Sequence, residues 1–194
     1  MRPFRGIAAA GLGILLGVSA MAPVSGRAAE KLDRRTADEL RLAYSLLADS
    51  LGSEADMKWL LWLRELTLQG PAKKVERLMT LLSEASRKRE KELETLRKLA
   101  PDVSGAPPPS PMGNAINSAA QREGTKEMLF PEGQFGMRFV FLQAQATRMI
   151  SVIAAEAARA DPNAKRKKWA LAVAEEYAGY REDLVKAVEK CAPR

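Results

Sequence analysis

Histidine is absent from this 194-residue chain, and cysteine occurs once, at Cys191. Without histidine there is no Ser-His-Asp triad, no His-ligated zinc or haem, and no imidazole switch near neutrality. A single cysteine excludes an intrachain disulfide and any Cys-x-x-Cys chemistry. Aromatic residues are few, at 6%. No glycine-rich phosphate loop and no nucleophile elbow occurs, and no window sustains period-2 alternation. The sequence therefore points to no catalytic residue, no metal ligand, no cofactor and no sheet. What remains is a chain with 46% hydrophobic and 28% charged residues, an ordinary globular balance.

The N-terminus reads as an export signal. Arg2 and Arg5 form a basic start, and Gly6–Gly26 is then uncharged over 21 residues. Small residues follow at Ser25, Gly26, Ala28 and Ala29, as secretory cleavage requires. Cleavage after Ala28 is expected, making residues 1–28 a signal peptide and the periplasm the destination. The alternative is an uncleaved membrane anchor, since 21 residues can span a bilayer. Removing the leader leaves 28 basic and 24 acidic residues, a net charge of +4 rather than +7. Nucleic acid is accordingly not an expected partner.

The rest of the chain has helical periodicity. Thr36 and Glu39 form a capping-box pattern ahead of Leu40, Leu42, Leu46 and Leu47. Ser53 and Asp56 repeat it after Gly52, so residues 29–52 are expected to form a separate N-terminal helical extension. A bundle domain over 53–192 then follows, beginning with a segment through Trp59, Trp62, Leu63 and Leu66. Gly70-Pro71 ends that segment, and the next helix carries Val75, Leu78, Leu82, Leu93 and Leu96 to about Leu99. Residues 101–114 (PDVSGAPPPSPMGN) cannot continue a helix and predict a semi-rigid linker long enough to cross a bundle. A short helix over 115–122 is expected. After Pro131 comes a stripe of Phe135, Phe139, Leu142, Ala146, Met149 and Ile153. Asp161-Pro162 then reads as N-cap and N1 of a last helix with Trp169, Val173, Tyr177, Tyr180, Leu184 and Val188. The expected fold is all-α: a four-helix-bundle-like domain with an additional N-terminal helix and a proline-rich crossover.

The stretches FGMRFVFLQAQATRMISV, ADPNAK and YAGYREDLVKAV, with KELETLRKLAPDV before the linker, resemble a bacterial extracytoplasmic family, domain of unknown function 4142. The resemblance covers roughly residues 54 to 190 and is carried mainly by Leu142 to Gln145 and Tyr180 to Leu184. It implies a ferritin-like helix bundle behind a signal peptide. Members often carry histidine on three helices, at positions that fall here on Ser86, Met149 and Asp183. A ferritin-like centre needs Glu from two helices and Glu-x-x-His from two others. Here only carboxylates such as Glu65, Glu156, Glu176 and Asp183 remain to supply one.

Three other features bear on function. Lys165, Arg166, Lys167 and Lys168 put four cations at the start of the last helix, against its macrodipole. They are candidate contacts for an anionic lipid, polymer or protein surface; a merely solvated helix start is the alternative. Met128, Leu129 and Phe130 precede Pro131 in a connecting segment and form a candidate contact patch or bundle cover. Cys191 is a candidate for an intermolecular disulfide joining a homodimer, or an incidental terminal thiol. Together these residues predict an exported, periplasmic, non-catalytic helical bundle that binds a protein or an anionic envelope component. The alternative is a ferritin-like metal-handling or redox protein with a carboxylate-only site.

Overall fold

The computed structural model describes residues 34–65, 73–112, 115, 118–119 and 135–191. The expected leader over 1–28, most of the short helix over 115–122 and the Met128–Phe130 patch lie outside the described residues. So do the side chains of Trp59, Trp62, Glu65, Phe135, Val188 and Cys191. Four long helices make up the architecture: α1 Arg34–Glu65, α2 Lys73–Leu96, α3 Phe135–Ala160 and α4 Ala164–Cys191. No strand occurs among the described residues. The all-α bundle is what the periodicity demands.

Side-chain contacts fix the directions. Ser83 on α2 bonds the backbone of Ala55 on α1, and Gly52 lies against Glu90, so α1 and α2 are antiparallel. Tyr44 meets Asp161 at one end while Glu54 meets Gln143 near mid-bundle, so α1 and α3 are antiparallel too. Ser86–Tyr177 and Glu92–Trp169 set the same relation between α2 and α4. The helices therefore run up, down, down, up. The connection from α2 to α3 must return from one end of the bundle to the other, a single crossover.

The first two expected helices are one. The capping signal at Ser53 is not used: its hydroxyl turns back to the Asp49 carbonyl at 2.8 Å. The apolar stripe of Leu40, Tyr44, Leu47 and Leu51 passes Gly52 and continues to Ala55 and Met57, all buried. A mid-helix glycine costs about 1 kcal/mol against alanine, less than the burial of one such leucine contributes. Residues 34–52 thus belong to the same helix as residues 53–65, and among the described residues no separate N-terminal helix is seen.

Small residues are frequent at the buried positions of α3 and α4, where Ala144, Ala154, Ala157, Ala158 and Ala170 are buried and allow packed backbones to approach closely. Phe139, Ile150, Val173 and Leu184 fill the rest of that core, with Met79, Leu82 and Leu93 opposite. Proline-rich residues 101–110 carry no helix, yet the segment is more than a spacer, because Val103 is fully buried in the core. The Ala100–Pro101 peptide is cis.

Candidate functional site

Two polar groups interrupt the apolar interior. One lies at mid-bundle, the other at the end where α1 and α4 begin.

At mid-bundle all four helices contribute. Glu54, three residues beyond Leu51 and on the same face of α1, is only 2% exposed. Gln143 of α3 faces it, and with its NH2 turned toward the carboxyl donates at 2.7 and 3.2 Å to the two oxygens. Burial pushes the Glu54 carboxyl up to about 8, so at neutral pH the protonated form prevails. On α2, Ser86 meets the Tyr177 hydroxyl of α4 at 2.5 Å, and Ser83 donates to the Ala55 carbonyl at 2.6 Å. Thr147 of α3 donates back to its own helix, to the Gln143 and Ala144 carbonyls. The Tyr177 phenol is raised by burial, against the Ser86 bond and with the help of Glu54 and Glu176. Tyr180 packs edge-on to it at 5.6 Å.

This layer does not fit a ferritin-like centre. It offers one carboxyl, mostly uncharged at neutral pH, together with hydroxyls and an amide. Of the expected carboxylates, Glu156 is exposed beside Arg159, and Asp183 is exposed near Lys186. Glu176 is taken by Arg89 at 2.7 Å, in a seam where Arg89 also holds Glu92, which accepts from the Trp169 indole. Those bonds lower the Glu92 carboxyl in spite of its partial burial. Among the described residues no three His, Cys, Asp or Glu side chains converge to hold a metal. The three family-histidine positions are not brought together either. Ser86 is fully buried, Met149 half-buried and Asp183 exposed. What the layer does is fix register: Glu54–Gln143, Ser86–Tyr177 and Ser83–Ala55 each join two helices, so a shifted register would leave these groups unpaired, while Thr147 is satisfied within its own helix.

The second group corrects the reading of the basic run. Arg166 is not a surface cation; it is fully buried. Its Nε and Nη2 both donate to the Asp161 carboxylate. Its Nη1 donates to the carbonyls of Leu99 and Pro101 at 3.0 Å, and more weakly to Leu96. The guanidinium also lies 5.5 Å from the centre of the Tyr44 ring, whose hydroxyl donates to Asp161 at 2.7 Å. Burial first, then that bond, raises the Tyr44 phenol. Asp161 is consequently not the N-cap of α4. Asn163 is, its Oδ1 accepting the Arg166 N–H at 2.9 Å while its Nδ2 reaches the Ala100 carbonyl.

Lys165, Lys167 and Lys168 remain exposed. The signal for Arg166 lay in the spacing, because it shares a helix face with Ala170, Val173 and Tyr177, all buried. No protein-family model, curated protein or solved structure matches this chain.

Proposed function

We propose that this chain is an exported, periplasmic, non-catalytic helical-bundle protein that binds a protein or an anionic component of the cell envelope. The observation that carries this reading is the self-satisfied interior. Glu54 faces Gln143, Ser86 faces Tyr177 and Arg166 faces Asp161, so these buried groups bind one another, and among the described residues the Arg41 Nε alone is buried without a hydrogen-bond partner. The groups left to meet other molecules lie outside, including the exposed Lys165, Lys167 and Lys168.

Export is supported by the Arg2/Arg5 start, the uncharged Gly6–Gly26 stretch and the Gly26-x-Ala28 pair, and by the resemblance to an extracytoplasmic family. Among the described residues, no helix is long and apolar enough to cross a membrane. Intact-mass measurement on protein from the envelope fraction tests export. Loss of residues 1–28 is expected, and a pellet-bound chain retaining Met1 to Arg27 would favour the anchored alternative. A homodimer joined through Cys191 belongs to the same proposal, and non-reducing electrophoresis reads it.

The ferritin-like metal-handling alternative draws on the single crossover and up-down-down-up order. Elemental analysis of protein purified without added metal decides it. Near-absence of metal is expected, and about two iron or manganese ions per chain, as a di-metal bundle centre holds, would reverse the reading.

A further inference from the structure

The four helices form two antiparallel pairs. Among the described residues, α1 packs extensively on α2 and α3 on α4, whereas α1 meets α3 and α2 meets α4 less extensively. Within the pairs, side chains bond main chain. Ser83 and Arg87 reach the Ala55 carbonyl, and Ser151 reaches the Ala174 carbonyl at 2.7 Å. Between the pairs, side chains bond side chains: Tyr44 with Asp161, Trp169 with Glu92, Arg89 with Glu176, Ser86 with Tyr177 and Glu54 with Gln143. The two pairs therefore face each other across a polar seam.

That seam is clasped at one end. Where α1 and α4 begin, the Arg166 guanidinium holds Asp161 and the carbonyls that end α2, and Asn163 holds the Ala100 carbonyl. A guanidinium does not lose its proton in proteins, so this clasp keeps its grip as pH changes. The chain connection from one pair to the other, α2 to α3, also leaves from this end. Counting from the clasp, the layer of Glu54–Gln143 and Ser86–Tyr177 comes last of the five links. Beyond it Met57, Val75, Met79, Phe139 and Leu184 are buried and apolar.

Glu54 shares the inward face of α1 with Leu47 and Leu51 and meets no counter-charge. On α1 itself, Asp56 is exposed. From α2 come Arg87, which reaches the Ala55 carbonyl from an exposed position, and Glu90, which lies against Gly52. From α3 comes the neutral Gln143, and from α4 Tyr177, with Glu176 taken by Arg89. None of these offsets the burial, which pushes the Glu54 carboxyl up to about 8. An ionised carboxylate there must be hydrated, and a close-packed interior admits water only where helices separate.

We infer that Glu54 is the latch of a pH-sensitive opening, whose ionisation parts the α1–α2 pair from the α3–α4 pair at the far end while the Arg166 clasp serves as the hinge. Nothing in this device depends on what the protein binds or where it resides. The closed bundle keeps the proton up to about pH 8, and a wetted, open form keeps it only up to about 4.5. Closure is therefore favoured most below pH 4.5. The open-to-closed ratio rises by up to about tenfold per pH unit from there to about 8, and then levels off. With no histidine in the chain, other side chains ordinarily titrate below about pH 5 or above about pH 8.

The test measures distances between spin labels on the full chain by pulsed electron spin resonance, with C191S removing the single native thiol. R77C/K186C labels the far end across the seam, K98C/K167C the hinge end and R148C/K186C the α3–α4 pair, all at exposed positions. Between pH 5 and 8 the far-end open-to-closed ratio should rise about a thousandfold. The open separation should be longer by about 10 Å, one helix diameter. The other two distances, and helix content by circular dichroism, should stay the same. E54Q and E54M should remain closed at pH 9. A parent whose far-end distance is unchanged at pH 9 would overturn the inference, as would equal opening in either folded variant. Broadening of all three distances with loss of helix would also overturn it, since the bundle would then be unfolding rather than opening. Should neither variant fold, the parent alone decides: a ratio that levels off above pH 8 supports Glu54 as the latch, and one still climbing above pH 9 assigns the opening to another group.

Discussion

Asp161 and Arg166 form a doubly hydrogen-bonded ion pair with neither side chain exposed to solvent. Five residues apart in sequence, they also reach Tyr44 on α1 and the carbonyls that end α2. All four helices are therefore tied at this point.

Arg166→Met should be strongly destabilising, by about 3–5 kcal/mol, because it leaves the Asp161 carboxylate buried without its counter-charge. Arg166→Lys should also destabilise, since an ammonium cannot reproduce the planar fork that grips the carboxylate and the carbonyls together. Combining Arg166→Met with Asp161→Leu should restore part of the loss. Urea unfolding of the four proteins checks the order.

Glu54→Gln should stabilise the bundle at neutral and alkaline pH. The carboxyl sits at about 8 when folded, against about 4.5 when unfolded. Its contribution to stability is therefore fully present below pH 4.5 and is lost as pH rises through 8. The amide carries no such dependence. The variant's advantage should be small near pH 4 and grow to about 2–4 kcal/mol by pH 9. Unfolding curves for both proteins at those two pH values decide it, and a difference that does not change with pH would contradict the assignment.

Tyr177→Phe should cost about 1–2 kcal/mol, since it leaves the buried Ser86 hydroxyl without its 2.5 Å partner. Ser86→Ala should cost a similar amount. The double variant should lose less than the two single losses added, because both remove the same bond. A thermal double-mutant cycle measures the coupling.

Gly52→Ala should be tolerated and mildly stabilising, by about 0.5 kcal/mol, through helix propensity. The added methyl would lie 3.2 Å from a Glu90 carboxylate oxygen, at the far end of a side chain that can swing aside. Circular dichroism melts check the sign. A large loss would mean that Glu90 is held in place.

The apolar stripes were legible in the sequence, and with them the bundle. Val75, Leu82, Leu93, Leu96, Phe139, Ala146, Val173, Tyr177 and Leu184 are buried as their spacing predicts. On α3 the stripe is rotated slightly: Leu142, Met149 and Ile153 are half-buried, while Gln143, Thr147, Ile150 and Ala154 face inward. That shift, like Glu54 and Arg166, was hidden by residue type. A polar side chain at an inward position looks like surface until its partner is known, and these partners come from other helices. Asp161 illustrates the difficulty. Its place before Pro162 matches a cap, and only the fold reveals the guanidinium waiting for it. Gly52 misled in the opposite direction, since it marks a close approach by Glu90 rather than a helix end.

The Arg166 side chain holds the end of α2 and the following turn through main-chain oxygens alone, those of Leu96, Leu99 and Pro101. Every residue type offers such an oxygen. The identities of residues 98–100 can thus drift over generations without loosening this grip, whereas a one-residue deletion there would withdraw the oxygens it needs; Arg97 is different, because its own side chain donates to the Val103 and Ser104 carbonyls. Selection should accordingly be permissive of substitutions and intolerant of length changes in this turn, and a library of point and deletion variants sorted by folding would display that asymmetry.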